Sequence, residues 1–121
     1  MKRNKDLENK NKLEHIKQAI ESIEYYVSNQ NENSFCSSNL VHDAVLFQFT
    51  VIGEAINHVD KDILNKYNYS WFKVRAFRNL IAHEYFNIKL EAVWYIIEKD
   101  LPELKAIIND MIKSNDNIKS I

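Results

Sequence analysis

The chain contains one glycine, Gly53, and one proline, Pro102, among 121 residues. Tight turns draw heavily on those two residue types, and an all-β fold of this length needs many turns. Their scarcity therefore points to long helices joined by few loops. The length fits one compact domain, read here as residues 1–121 with frayed ends at 1–6 and 114–121. Hydrophobic residues make up 45% of the chain, including Trp71, Trp94, six Tyr and six Phe, so a sizeable core can be buried.

Apolar periodicity divides the chain. Leu13, Ile16, Ile20, Ile23 and Val27 recur at steps of three and four, which predicts a helix over roughly residues 6–28. The stretch Ser28 to Ser34 has no periodicity and reads as a loop. A second helix starts near Ser37, Ser38 or Asn39, any of which can cap it. It carries Val41, Ala44, Val45, Phe49, Ile52, Ala55, Ile56 and Val59. Leu46, Phe47 and Val51 widen its apolar arc, as expected of a helix central to a bundle or shared with a partner. Gly53 within it costs about 1 kcal/mol relative to alanine, and the simplest reason to keep it is a second helix crossing closely there.

After a polar break from Asp60 to Tyr69, Ser70 can cap a third helix beginning at Trp71-Phe72, with Val74, Phe77 and Ile81 on its buried side. Glu84 to Lys89 reads as a turn with Asn87 as a cap. A fourth helix carries Leu90, Val93, Trp94, Ile97, Leu101, Leu104, Ile108 and Met111, and Pro102 should kink or divide it near Asp100. The expected fold is all-α, an antiparallel bundle of four to five helices.

Charge narrows the function. Sixteen basic residues against 17 acidic ones leave a formal charge of −1. That balance argues against long duplex DNA as the main ligand, and any RNA contact must come from a local patch. The single cysteine, Cys36, can form no internal disulfide, the N-terminus lacks the apolar run of a leader, and no segment approaches a membrane span. A cytoplasmic location is expected. His15, His42 and His58 show no metal-ligand spacing, no HExxH occurs, and no glycine-rich phosphate loop is present, so neither metal nor cofactor is expected. Glu54, set in an apolar helix, is either a paired or functional carboxylate or a bundle-edge glutamate.

The segment Arg75-Ala76-Phe77-Arg78-Asn79-Leu80-Ile81-Ala82-His83-Glu84-Tyr85 concentrates the reactive side chains. At about 100° per residue, Arg75, Arg78, Ala82 and Tyr85 follow one line and Asn79 and His83 another. Arg78 and His83 point about 140° apart on a straight helix. They converge only if the helix ends or distorts near His83, or if two copies of the segment face each other across a symmetry axis. Metal-free RNA cleavage needs a base for the 2′-hydroxyl, a donor for the charged phosphate and an acid for the leaving oxygen. Histidine suits the proton steps, with an unperturbed pKa of about 6.5, and the arginine fork suits the phosphate. Asn79 can orient the imidazole or donate to a phosphate oxygen, and Arg75 can extend the contact to RNA. Spacing alone is a weak signal and is more simply met by a surface arginine and a capping or partly buried histidine near a helix C-terminus.

Several pieces in order carry a family resemblance: Leu13-Glu14-His15-Ile16 with Ala19-Ile20, Asp43-Ala44-Val45, Ile52-Gly53-Glu54-Ala55, Trp71, Arg78-Asn79 with His83 and Tyr85-Phe86, Val93-Trp94, and Asp100-Leu101-Pro102-Glu103-Leu104. On these, the chain resembles the HepT-like branch of the HEPN family, the toxin half of type VII HEPN–MNT toxin–antitoxin pairs. The family signature, Arg, four residues, His, one residue, Tyr, is met by Arg78, His83 and Tyr85, with Asn79 matching the polar residue after the arginine. The resemblance implies a metal-independent endoribonuclease whose site forms at a homodimer interface. It also implies an MNT-type nucleotidyltransferase antitoxin that transfers AMP to Tyr85. Two departures stand out. Glu84 inside the motif opposes RNA unless it pairs with Arg75 or Arg78, and Asn87-Ile88-Lys89 replaces the glycine and aspartate frequent in relatives. The competing expectation is a helical binding module, an accessory subunit of a nucleotidyltransferase that cleaves nothing.

Overall fold

The computed structural model describes the backbone of residues 2–120 and the side chains of residues 4–114, and among these all regular structure is helical. Helix α1 spans Lys2–Val27, α2 Glu32–Ser37, α3 Asn39–Ile56, α4 Lys61–Leu64, α5 Trp71–His83, α6 Leu90–Tyr95 and α7 Leu101–Ser120. A 3-10 turn at Tyr85–Asn87 follows α5, and a π-helical turn at Ile96–Asp100 joins α6 to α7. The frayed ends expected at 1–6 and 114–121 fall largely outside the described side chains. No helix among the described residues is long and apolar enough to cross a membrane.

The periodic stripes become the core. Leu13, Ile16, Ile20 and Ile23 of α1 are fully buried against Val45, Leu46, Ile52 and Ile56 of α3, in one cluster that also takes Leu101, Leu104, Ile108 and Met111 from α7. Gln48 of α3 meets Tyr26 near the end of α1, while Asn9 near its start holds Asp60 just beyond α3. The two helices are therefore antiparallel. On the other side of α3, the rings of Phe49 and Phe77 pack edge to face at 5.1 Å. There α5 runs antiparallel to α3.

Short helices fill two stretches read as irregular. Ser34 N–H donates to the Asn31 side chain and Asn31 N–H donates to Ser34 Oγ, a reciprocal cap that starts α2 inside the expected loop. That six-residue helix buries Phe35, whose ring lies 5.3 Å from Trp94. In the polar break, α4 buries Leu64, and the Leu64 carbonyl accepts a hydrogen bond from the Trp71 indole. Ser38 caps α3 as expected, accepting from Val41 N–H, whereas Ser70 makes no side-chain cap at α5.

Pro102 acts where expected, by a specific route. It has no N–H to give and its ring would strike the carbonyl four residues back. The chain widens ahead of it, and Leu101 N–H donates to Ile96 five residues back. The fourth expected helix is thus α6 and α7 divided by a π turn.

Candidate active site on the seam between the third and fifth helices

The seam is organised by the one glycine. A Cβ placed on Gly53 would lie 2.4 Å from Arg78 Cβ, 2.9 Å from Arg78 Cγ and 3.3 Å from the Val74 carbonyl. Helix α5 therefore crosses α3 with Arg78 seated on Gly53, and the close crossing that the sequence suggested occurs at the motif arginine itself. The Arg78 side chain is half-buried. One guanidinium nitrogen, Nη2, meets Glu54 Oε2 at 3.2 Å, and Nη1 donates to Asn79 Oδ1 at 3.2 Å. Arg78 Nε is buried and without a hydrogen-bond partner. Glu54 is thus a paired carboxylate, and its other oxygen lies 3.7 Å from His58 Nε2. One turn earlier on α5, Arg75 Nε donates to Asn57 Oδ1 at 3.0 Å.

Helical phase sets His83 apart from Arg78. Phe72, Ala76, Asn79, Leu80 and His83 share the exposed side of α5, while Val74, Phe77 and Ile81 face the interior. Arg78 lies at the flank, in the groove with α3. The helix ends at His83, with Glu84 N–H donating to the Leu80 carbonyl. A single chain therefore presents a seated guanidinium and, one and a half turns later, an exposed imidazole on a different side of the same helix.

Tyr85 opens the 3-10 turn beyond α5 and returns to α3, where its hydroxyl donates to Asp43 Oδ1. The same carboxylate oxygen lies 3.6 Å from Nε2 of the buried His42, whose Nδ1 is 3.2 Å from the Phe35 carbonyl. Burial, then the hydrogen bond to Asp43 and its charge, push the Tyr85 phenol up from 10 to about 12. Burial, reinforced by Asp100 and Glu103, does the same to Tyr69, also to about 12. Both phenols stay protonated where a tyrosine in the unfolded chain ionises. Their stabilising effect is complete below pH 10 and is lost as pH rises through about 12. Ultraviolet titration should show Tyr69 and Tyr85 as late phenols, with Tyr67 also delayed by burial and its hydrogen bond to Asp110. Tyr85→Phe should remove one, and Asp43→Asn should bring that one back toward 10. A full set of tyrosines titrating together near 10 would contradict both environments.

Neither Arg75 nor Arg78, which meet Asn57 and Glu54 respectively, pairs with Glu84. Its Oε2 accepts from Asn87 Nδ2 at 2.8 Å, so Asn87 ties the turn to Glu84, and Lys89, not Asn87, occupies the position before α6. Among the described residues no group of three or more His, Cys, Asp or Glu side chains is placed to hold a metal ion. Sequence reasoning left two partners unassigned: Asp43 beneath Tyr85, and Glu54 against Arg78. Eleven residues apart on α3, they fall within about 20° of one another around the helix. That shared phase was the available signal. What it lacked was the helix lying opposite.

The chain belongs to the HepT-like ribonuclease family: the family model described as "Ribonuclease HepT-like" matches residues 16–111. Among curated relatives, a protein of Methanocaldococcus jannaschii named "Gamma-glutamylcyclotransferase and putative RNase" is 33% identical over 109 residues, 89% of this chain and 49% of that protein. The chain thus spans about half the length of that relative. A "Probable ribonuclease HepT" of Thermococcus cleftensis is 28% identical over 98 residues, 80% of this chain and 89% of the relative. No solved structure matches at a significant level.

Proposed function

We propose that the protein is the toxin of a HEPN–MNT pair, a metal-independent endoribonuclease that works as a homodimer and is silenced by adenylylation of Tyr85. The observation that carries this reading is the seating of Arg78. The chain's one glycine lets α5 approach until the guanidinium is held between Glu54 and Asn79. A surface arginine needs no such crossing. Family membership and the RNase names of the relatives support the same chemistry.

In this reading, His83 takes the proton of a ribose 2′-hydroxyl and that oxygen attacks the neighbouring phosphorus. Arg78, with Asn79 beside it, donates to the phosphoryl oxygens as their charge grows, and Arg75 extends the contact along the strand. The bond to the 5′-oxygen breaks, and an imidazolium returns a proton to the leaving oxygen. The products are a 2′,3′-cyclic phosphate and a 5′-hydroxyl. One chain does not turn Arg78 and His83 toward one another, and a second copy across a two-fold axis supplies what the first lacks. Phe72, 66% exposed, and Leu80, 42% exposed, lie on the same side of α5 as Asn79 and His83 and give such a seam its apolar contacts.

AMP on Tyr85 adds a phosphodiester and a bulky base just beyond the end of α5, two residues after His83, where their charge and volume oppose entry of an RNA strand. The test is expression of the chain alone and beside the nucleotidyltransferase encoded next to it. Growth should stop in the first case and recover in the second, with one AMP on Tyr85 by peptide mass. Unaffected growth in the first case, with no cleavage of RNA by the purified protein, overturns the toxin reading in favour of a non-catalytic accessory subunit.

A further inference from the structure

We propose that Asp43 positions the Tyr85 hydroxyl for nucleotide transfer and accepts its proton as the new ester forms, an inference that rests on reading Tyr85 as the AMP acceptor. The hydroxyl hydrogen is committed to Asp43 Oδ1, which leaves the lone pairs of Oη free to meet an electrophile. Tyr85 as a whole residue is 36% exposed, so a triphosphate can approach the side chain from solvent. Asp43 lies one turn inside the capped start of α3, with Oδ1 3.6 Å from Nε2 of the buried His42, whose Nδ1 meets the Phe35 carbonyl. Tyr85 sits on a short 3-10 turn and takes its orientation from this contact.

A phenol ionises far above neutral pH, and so it attacks phosphorus effectively only when a base removes its proton during the step. Tyr85 Oη forms a bond to the α-phosphorus of ATP, and the bond from that phosphorus to the bridging oxygen of the β-phosphate breaks. Pyrophosphate departs with the electron pair, and the phenolic proton passes to Asp43 Oδ1. The charges and atoms balance without a further reactant from this chain.

The placement separates modification from cleavage. Asp43 lies eleven residues before Glu54, about 16 Å along α3, and so stands away from the Glu54–Arg78 contact. The neutral isostere Asp43→Asn keeps an acceptor for the Tyr85 hydroxyl but cannot take its proton.

The experiment uses the full chain, its neighbour-encoded nucleotidyltransferase and labelled ATP. Asp43→Asn should lower kcat for AMP transfer by about 10²-fold or more with KM for ATP unchanged, while RNA cleavage by the unmodified variant stays at the wild-type rate. Asp43→Glu, which restores a carboxylate, should recover part of the loss, and Tyr85→Phe should accept no label. In cells, the Asp43→Asn chain should stay toxic beside the nucleotidyltransferase. Transfer to Asp43→Asn at the wild-type rate overturns the inference while leaving the proposed function standing. A parallel loss of RNA cleavage also overturns it, since Asp43 would then be a general structural support. If wild-type Tyr85 takes no label, the adenylylation reading fails and this inference with it.

Discussion

Replacing His83 with alanine is expected to reduce RNA cleavage by about 10²–10⁴-fold, the range over which a positioned acid–base group contributes to a rate. The imidazole is exposed at the last residue of α5, so the folded state should lose little. Arg78→Ala should produce a loss of similar size, for a different reason. In the proposed mechanism it removes the donors that meet charge developing on phosphorus, and in the structure it leaves the Glu54 carboxylate without its guanidinium partner. Arg78→Lys should recover only part of the rate, because an ammonium keeps the charge but cannot span two oxygens as the planar fork does. Single-turnover cleavage of a labelled oligonucleotide, read beside thermal melts, separates chemistry from folding. Wild-type rates from both alanine variants would remove the enzymatic reading altogether.

A second large effect is expected at a residue with no side chain. In Gly53→Ala the new methyl would sit 2.4 Å from Arg78 Cβ, a distance that neither backbone can tolerate, so α5 must move away from α3. Better helix propensity offsets about 1 kcal/mol of the strain, while overpacking in a tight helix crossing costs about 1–3 kcal/mol. The net change in stability is therefore modest, about 0–2 kcal/mol or at most a few degrees in Tm. Activity should fall much further, by about 10²-fold, because a displacement near 1 Å at a catalytic group is amplified in the rate. Gly53→Val should worsen both. The diagnostic result is a near-normal melt with a large loss of cleavage. A Gly53→Ala protein with unaltered activity would show that the seating of Arg78 on α3 is incidental.

The helices with long apolar stripes were legible in the sequence, because a period near 3.6 needs no knowledge of what packs opposite. Leu13, Ile16, Ile20 and Ile23 are buried as that period requires. Gly53 signalled a close crossing, and Pro102 marked the break in the last helix, though the π turn that absorbs it depends on how α6 and α7 both reach the core. Helix α2 escaped notice because one apolar residue, Phe35, makes no pattern, and its start rests on a reciprocal Asn31–Ser34 cap inside a polar run. At the site, Arg78, Asn79, His83 and Tyr85 were visible as a local motif. Their partners Glu54 and Asp43 lie 24 and 42 residues away in sequence, and only the antiparallel packing of α5 on α3 brings them near.

The contact between Glu54 and Arg78 has a bearing on how an RNA strand would be received. The guanidinium already faces an anion, so an arriving phosphate exchanges one negative neighbour for another. Cations shed by the nucleic acid are partly taken up again around the liberated carboxylate. Ionic strength should therefore have a shallow influence on association, and a chain of near-zero net charge gains little long-range attraction for polyanions. Under the proposed function, discrimination among transcripts would then rest on local shape and flexibility of the strand and not on long-range attraction.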